Sequence, residues 1–256
     1  TWWISKTPGI NPGGTHYPED KDAAWNATYK MTLTWAVLKN KENGKIYAHI
    51  NTHLDPVNPE ARNGGMGVVL RKTKDLLYAY GETLPVVITA DWNCNQWSEA
   101  YKILTTDEEV TISDGAYCLP EEDLVNWGGT IHSFTGDRGS LIDIAFITSD
   151  TARVTHYEVL TQAVDAGDGK GAGCLSDHYG IYISFKPGEP CEEVREVTDV
   201  ETGKEQDLTA AYGTPELDGV KDDIYNESIA ANVNVDSNGQ IVSNQSTAII
   251  TTVHDD

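Results

Sequence analysis

The sequence predicts an α/β fold, on three observations. Val86-Val87-Ile88 is continuously apolar within Pro85–Asn93, the pattern of a strand buried on both faces. Tyr29–Leu38 alternates in the β manner, turns through Asn43-Gly44, and returns over Lys45–Leu54 as a hairpin. Between hairpin and buried strand, residues 59–82 have helical composition, with Val69, Leu70, Leu76, Leu77 and Tyr80 as an apolar stripe.

Other elements follow in order. Thr1–Thr7 reads as a strand and Pro8–Asp22 as a Gly- and Pro-rich loop. Gly64-Gly65-Met66-Gly67 weakens the first half of the long helix, which is expected to start late. A short helix spans Ser98–Leu104 with Ser98 as its cap. Val110–Ser113 is a short strand and Ala116–Asn126 a loop. Leu141–Ile147 is a strand with Asp143 set among apolar neighbours on both faces, so that carboxylate should be buried and partnered. Val154–Thr161 and Gly180–Phe185 are strands around a Gly- and Asp-rich loop, Ala163–Gly173.

The chain carries a formal net charge of −22. Residues 1–187 hold 15 basic against 24 acidic side chains, and residues 188–256 hold 3 against 16. So acidic a tail repels polyanions and argues against a general basic face for long duplex DNA, though not against a local phosphate site. No apolar run is long enough to span a bilayer. The opening Thr1-Trp2-Trp3-Ile4-Ser5 has no basic n-region or cleavage site and looks like an interior strand, so the chain is expected to be a piece of a longer protein. Cys94, Cys118, Cys174 and Cys191 lack C-x-x-C spacing, which disfavours a zinc cage. Four cysteines are compatible with two disulfides, of unspecified pairing.

Polar residues gather at strand ends. Asp91 and Asn93 stand one residue apart at the mouth of the buried strand, a spacing that points both to one side. Taken alone, such a pair also suits a strand end with turn-forming residues. The hairpin's return strand ends in Asn51-Thr52-His53-Leu54-Asp55, and Ser176-Asp177-His178 precedes the last strand. An imidazole can meet a phosphoryl oxygen, and an adjacent carboxylate can hold a divalent cation. His16, His156 and His254 read as surface residues.

In this order the four motifs, with Ile142-Asp143-Ile144 as the third, resemble the endonuclease/exonuclease/phosphatase superfamily, metal-dependent phosphoesterases that share a fold with DNase I. Thr130-Ile131-His132-Ser133-Phe134 is similar to a stretch seen in its small bacterial members. The resemblance covers residues 1–186 and implies a four-layer α/β sandwich, two sheets face to face with helices outside, incomplete at its N-terminal side. It implies that His53 stabilises charge near the scissile phosphate, while Asp91 and Asn93 orient water and phosphate, with Asp91 as general base. It further implies that His178 contacts the phosphoryl group, that Asp143 hydrogen-bonds to His178, and that Asp177 lies by the metal, Mg²⁺ or Mn²⁺. The family's early Asn and metal-ligating Glu cannot be placed here, since Glu19 and Glu42 fall in a loop and a turn. A truncated chain, inactive or very weak by itself, is the expectation.

Residues 187–209 read as an acidic linker. Beyond it, Tyr212–Gly219, Asp222–Tyr225 and Thr247–Thr251 resemble the opening of a family 9 carbohydrate-binding-like β-sandwich, so residues 210–256 are expected to form a truncated module of that kind. That resemblance implies an extracellular glycan as partner and an extracellular or cell-surface location. The expected whole is a monomeric phosphoesterase acting on a nucleotide, single-stranded nucleic acid, sugar phosphate or lipid headgroup. Its rival is a non-catalytic, glycan-associated surface protein that keeps the fold as a scaffold.

Overall fold

A computed structural model of the chain describes residues 1–8, 21–165 and 172–197, and the backbone of four short strands beyond them. The chain divides into two units, Thr1–Val197 and Thr198–Asp256. The first contains β1 (Trp2–Trp3), β2 (Thr32–Lys39), β3 (Ile46–His53), α1 (Pro59–Tyr80), β4 (Val86–Asp91), α2 (Glu99–Thr105), β5 (Ile112–Asp114), β6 (Asp143–Thr148), β7 (Ala152–Leu160), β8 (Val164–Asp165), β9 (Ala172–Gly173) and β10 (Gly180–Pro187).

Strands β1 to β6 form one sheet in the order β1-β2-β3-β4-β6-β5. Only β3 and β4 run parallel, with α1 as their crossover; the other neighbours are antiparallel. The sheet is apolar on two sides because its central strands are. Val86, Ile88 and Ala90 of β4, with Ile144 and Phe146 of β6, join Met66, Val69 and Leu76 of α1 and Leu104 of α2 in the largest core. The alternate residues Val87 and Ile147 enter a second cluster with Ala152 and Val154, against Ile183 and Phe185 of the antiparallel β7–β10 pair. Among the described residues this makes three layers: helices, six-stranded sheet and β7–β10 pair. The outer helices expected as a fourth layer are not among them.

Helix α1 is complete from Pro59, contrary to the expected late start. The Asn58 side chain caps it by accepting from the backbone N–H of Glu60 and Ala61, and proline suits the first turn. Its glycines have a packing reason. A Cβ on Gly64 would fall 2.3 Å from the Trp25 indole, and one on Gly65 would fall 2.8 Å from Leu54 Cδ2. The close approach they permit offsets their poor helix propensity. At the other end Tyr80 is half exposed rather than part of the apolar stripe. Helix α2 runs Glu99–Thr105 behind its Ser98 cap, as expected.

Other boundaries shift where long-range pairing overrides local pattern. The first strand shrinks to Trp2–Trp3. The stretch expected as a loop after residue 115 contains two 3-10 turns, Gly115–Cys118 and Glu121–Asp123. The expected linker is joined to the body as far as Val197. Cys191 N–H donates to Ser149 O (2.7 Å), while Arg195 donates from its backbone to Tyr117 O (2.8 Å) and from its guanidinium to Leu119 O (2.7 Å) and Ala116 O (2.9 Å).

In the second unit, Ala211–Tyr212 pairs in parallel with Val253–His254, and Ala231–Val233 pairs antiparallel with Ala248–Ile250. The remainder of the segments expected to open a β-sandwich lies outside the described residues, as does His16.

Candidate active site

Register assembles the site. His53 is the Cα partner of Asp91 across β3 and β4, and Asp91 is the partner of Asp143 across β4 and β6. Three chemically active side chains thus stand in one row at the ends of three adjacent strands. Their alternation places them on the face away from α1 and α2. Trp92, wholly buried on the helix side, anchors the row by donating from Nε1 to Ile144 O (2.8 Å) and by packing edge-on to Phe146.

Asn93 locks the strand ends together. Its backbone has φ of +51°, a left-handed conformation that asparagine tolerates better than most residues. In that pose its N–H donates to Asp91 Oδ1 (2.9 Å) and its Nδ2 donates to Leu54 O (3.0 Å). Nδ2 also lies 2.9 Å from His53 Nε2, which is 3.2 Å from Asp91 Oδ2. Both protonation states of His53 therefore have a partner: the neutral ring accepts from Asn93, and the cation donates to Asp91. The hydrogen bond to Asp91 pushes the His53 pKa up; burial opposes this, and the charges of Asp91, Asp143 and Asp55 add to the rise.

His178 arrives from the other layer, two residues ahead of β10. Its Nδ1 is 2.8 Å from Asp143 Oδ2 and 3.8 Å from Asp91 Oδ2. Its backbone N–H donates to Ser176 Oγ (3.1 Å), which sets the tight turn through Asp177. Burial pushes the Asp143 pKa up; the Thr130 hydroxyl works against this, the Asp91 charge adds to it, and His178 opposes it. Asp143 is thus half-buried and partnered.

Asp91, Asp143 and His178 place one ligand atom each within 4.8 Å of one another. Two carboxylates and an imidazole, with two negative charges crowded together, are a donor set suited to a small divalent cation. Asp177 is not in that group. It is exposed, and its backbone carbonyl accepts from His132 N–H (2.8 Å) and Ser133 N–H (3.0 Å).

Two further residues bear on the site. Thr130 is fully buried, its Oγ1 accepts from the N–H of Ile142 (3.2 Å) and Asp143 (3.1 Å), and its carbonyl accepts from Tyr179 N–H (2.8 Å). It ties the Asp143 strand to the His178 turn. The sequence marks it as the first residue of the Thr130–Phe134 stretch but does not reveal this role, because its partners lie 10 to 49 positions along the chain. Asp55, which closes the Asn51–Asp55 motif, proves architectural. Its carboxylate accepts from four backbone N–H groups, those of Thr28, Tyr29, Val57 and Asn58. Burial alone would raise its pKa, but these four bonds outweigh it and hold the pKa low. His156 is a surface residue beside Glu158.

The fold matches solved structures of the endonuclease/exonuclease/phosphatase superfamily over about 72% of the chain. One is a member of that family from Bacteroides vulgatus, 27% identical, with a TM-score of 0.55, covering 73% of this chain and 63% of its own. Another is a mannosyl-6-phosphatase from Bacteroides thetaiotaomicron, 24% identical, with a TM-score of 0.57, covering 72% and 64%. A third, an endonuclease/exonuclease/phosphatase family protein from Bacteroides thetaiotaomicron, is 24% identical with a TM-score of 0.57, covering 72% and 60%. The chain thus spans 60 to 64% of the length of these relatives. No protein-family model and no curated protein sequence matches it.

Proposed function

We propose that this chain carries the larger part of a divalent-metal-dependent phosphoesterase centre. The observation that carries the proposal is the row His53, Asp91 and Asp143, completed by His178 at 2.8 Å from Asp143. Asp91 acts as the general base that takes a proton from the attacking water, and Asn93 holds its carboxylate in place. His53, favoured as a cation by Asp91, stabilises negative charge on the phosphoryl group. His178 donates Nδ1–H to Asp143, which leaves Nε2 as the nitrogen for a phosphoryl oxygen. Asp91 and Asp143 would hold Mg²⁺ or Mn²⁺, with Asp177 as a further donor beside His178. When bound, the ion supplies Lewis-acid charge neutralisation.

The substrate class is a phosphate ester. A sugar phosphate is the first to test, since one fold neighbour is a mannosyl-6-phosphatase. Nucleotides, single-stranded nucleic acid and lipid headgroups follow, and the charge of −22 weighs against long duplex DNA. An extracellular or cell-surface setting belongs to the same reading, through a glycan-binding role for residues 210–256.

Isothermal titration with Mn²⁺, run beside turnover of bis-p-nitrophenyl phosphate, tests the assignment. Binding that is lost in Asp91→Ala is the expected result, with any turnover falling on the order of 10²–10³-fold in Asp91→Ala and His178→Ala. Unchanged Mn²⁺ affinity in Asp91→Ala would overturn it.

A further inference from the structure

The opposite end of the β7–β10 layer holds a pair of thiols with no part in the chemistry above. Cys118 ends the 3-10 turn after β5, and Cys191 lies in the segment after β10 that is docked on the body. Both pack on one apolar cluster, built from Val87, Ile147, Ala152 and Val154. The two thiols are near enough across this cluster to shift each other's acidity. Cys191 is fixed in position by its N–H bond to Ser149 O (2.7 Å) and by its thiol, which donates to Ala152 O (3.4 Å).

We propose that Cys118 and Cys191 form a disulfide that staples residues 188–197 to the sheet. The two thiols come from different stretches of chain that meet on one cluster, as a cross-link between them requires. The chemistry of the pair suits exchange. The Cys118 thiol's hydrogen bond pulls the Cys191 pKa down to about 7, with the Arg153 guanidinium helping, while Cys118 moves up. One partner is thus a ready thiolate and the other a protonated thiol. An oxidant can reach the pair: Cys191 is partly exposed, and Cys118 lines a surface cleft of about 540 Å³ together with Leu119, Glu121, Arg153 and Arg195.

With a small-molecule disulfide as oxidant the step balances. Cys191 thiolate attacks one sulfur of that disulfide, forming a mixed disulfide and expelling one thiolate. Cys118, on losing its proton, attacks Cys191 Sγ, forms the protein disulfide and expels the second thiolate. The protein gives up two electrons and two protons, and the oxidant leaves as two thiols. The bond closes the chain from 118 to 191, a loop that contains both Asp143 and His178. It also holds Arg195 where it serves the carbonyls of Ala116 and Leu119.

The test is a thiol map of the wild-type chain, equilibrated in glutathione buffers from reducing to oxidising, then alkylated in denaturant and digested. The expected product at the oxidising end is one cross-linked peptide pair carrying Cys118 and Cys191, two hydrogens lighter than the separate peptides, with Cys94 and Cys174 alkylated. A urea melt of the oxidised chain should then show a higher midpoint than the reduced chain, a difference absent in Cys191→Ser. Four alkylated cysteines in the most oxidising buffer, or a cross-link joining any other pair, would overturn the proposal.

Discussion

Ile88 and Thr89 are neighbours on one strand, and they live in different environments. Ile88 is wholly buried under the helices, among Ile50, Ile144 and Phe146. Thr89 faces the other way, where its hydroxyl meets His49 Nε2 (2.9 Å) and Asn51 Nδ2 (2.9 Å), and the next residue on that face is Asp91. The helix-covered side is a continuous apolar core. The opposite side is apolar only as far as the β7–β10 pair covers it, at Val87, Ala145 and Ile147, and turns polar toward the strand ends. One side supplies stability and the other, where the cover stops, leaves charged groups near water. A row of carboxylates and imidazoles is tolerable there because hydration and mutual pairing offset the cost of removing charge from bulk water.

The largest expected break in this contrast is Phe146→Ala. It deletes a fully buried ring that packs on both Trp92 and Tyr101, and should lower unfolding free energy by about 3–5 kcal/mol in urea. A loss under about 1 kcal/mol would mean the helix face is less tightly built than described. Gly64→Ala should come next, at about 1–3 kcal/mol, because the new methyl meets the Trp25 indole. Pairing it with Trp25→Ala should recover part of the loss in a double-mutant cycle; additive losses would place the strain elsewhere.

Asp114 sharpens the comparison from inside the covered region. It is wholly buried, and burial pushes its pKa from 3.8 to about 7, against the opposing bonds from Ala116 N–H and Tyr101 and the charge of Arg195. With a raised folded-state value, the folded chain keeps a proton that the unfolded chain releases. Its contribution to stability therefore falls as pH rises from about 4 to about 7 and is level above that. Asp114→Asn should flatten that slope in urea midpoints taken across the window, whereas an unaltered slope would assign it to other groups. The smallest stability effect is expected for Asp143→Asn, three residues from Phe146 on the same strand but on the open side. Its unfolding free energy should stay within about 1 kcal/mol of wild type. Its Mn²⁺ affinity should fall, and an unfolding loss as large as that of Phe146→Ala would erase the distinction between the faces.

Much of the site was legible because its residues sit in patterns that are local. Asp91 and Asn93 end a run of apolar residues, and His178 follows Asp177 at a strand start. The late start assigned to α1 failed because helix propensity counts each glycine as a cost, while Trp25 and Leu54, far away in sequence, turn two of them into contacts. Asp55 belonged to a motif of apparent chemistry, yet four backbone donors claim its oxygens. The docking of residues 188–197 was hidden by composition: an acidic, Pro-containing run reads as linker, and a single Arg195 reaching three carbonyls reverses that.

By itself the sequence determined the alternation of strands and helices, the polar strand ends and their order along the chain, since these follow from backbone periodicity and turn chemistry within a few residues. Only the tertiary structure decided that His53, Asp91 and Asp143 share one row, that His178 meets Asp143 from another layer, and that Cys118 lies against Cys191. Those placements depend on strand register and layer packing between segments tens of residues apart. The free energy that selects them comes from burying Phe146, Trp92, Ile88 and their neighbours together, a sum over the whole core that no short stretch of chain contains.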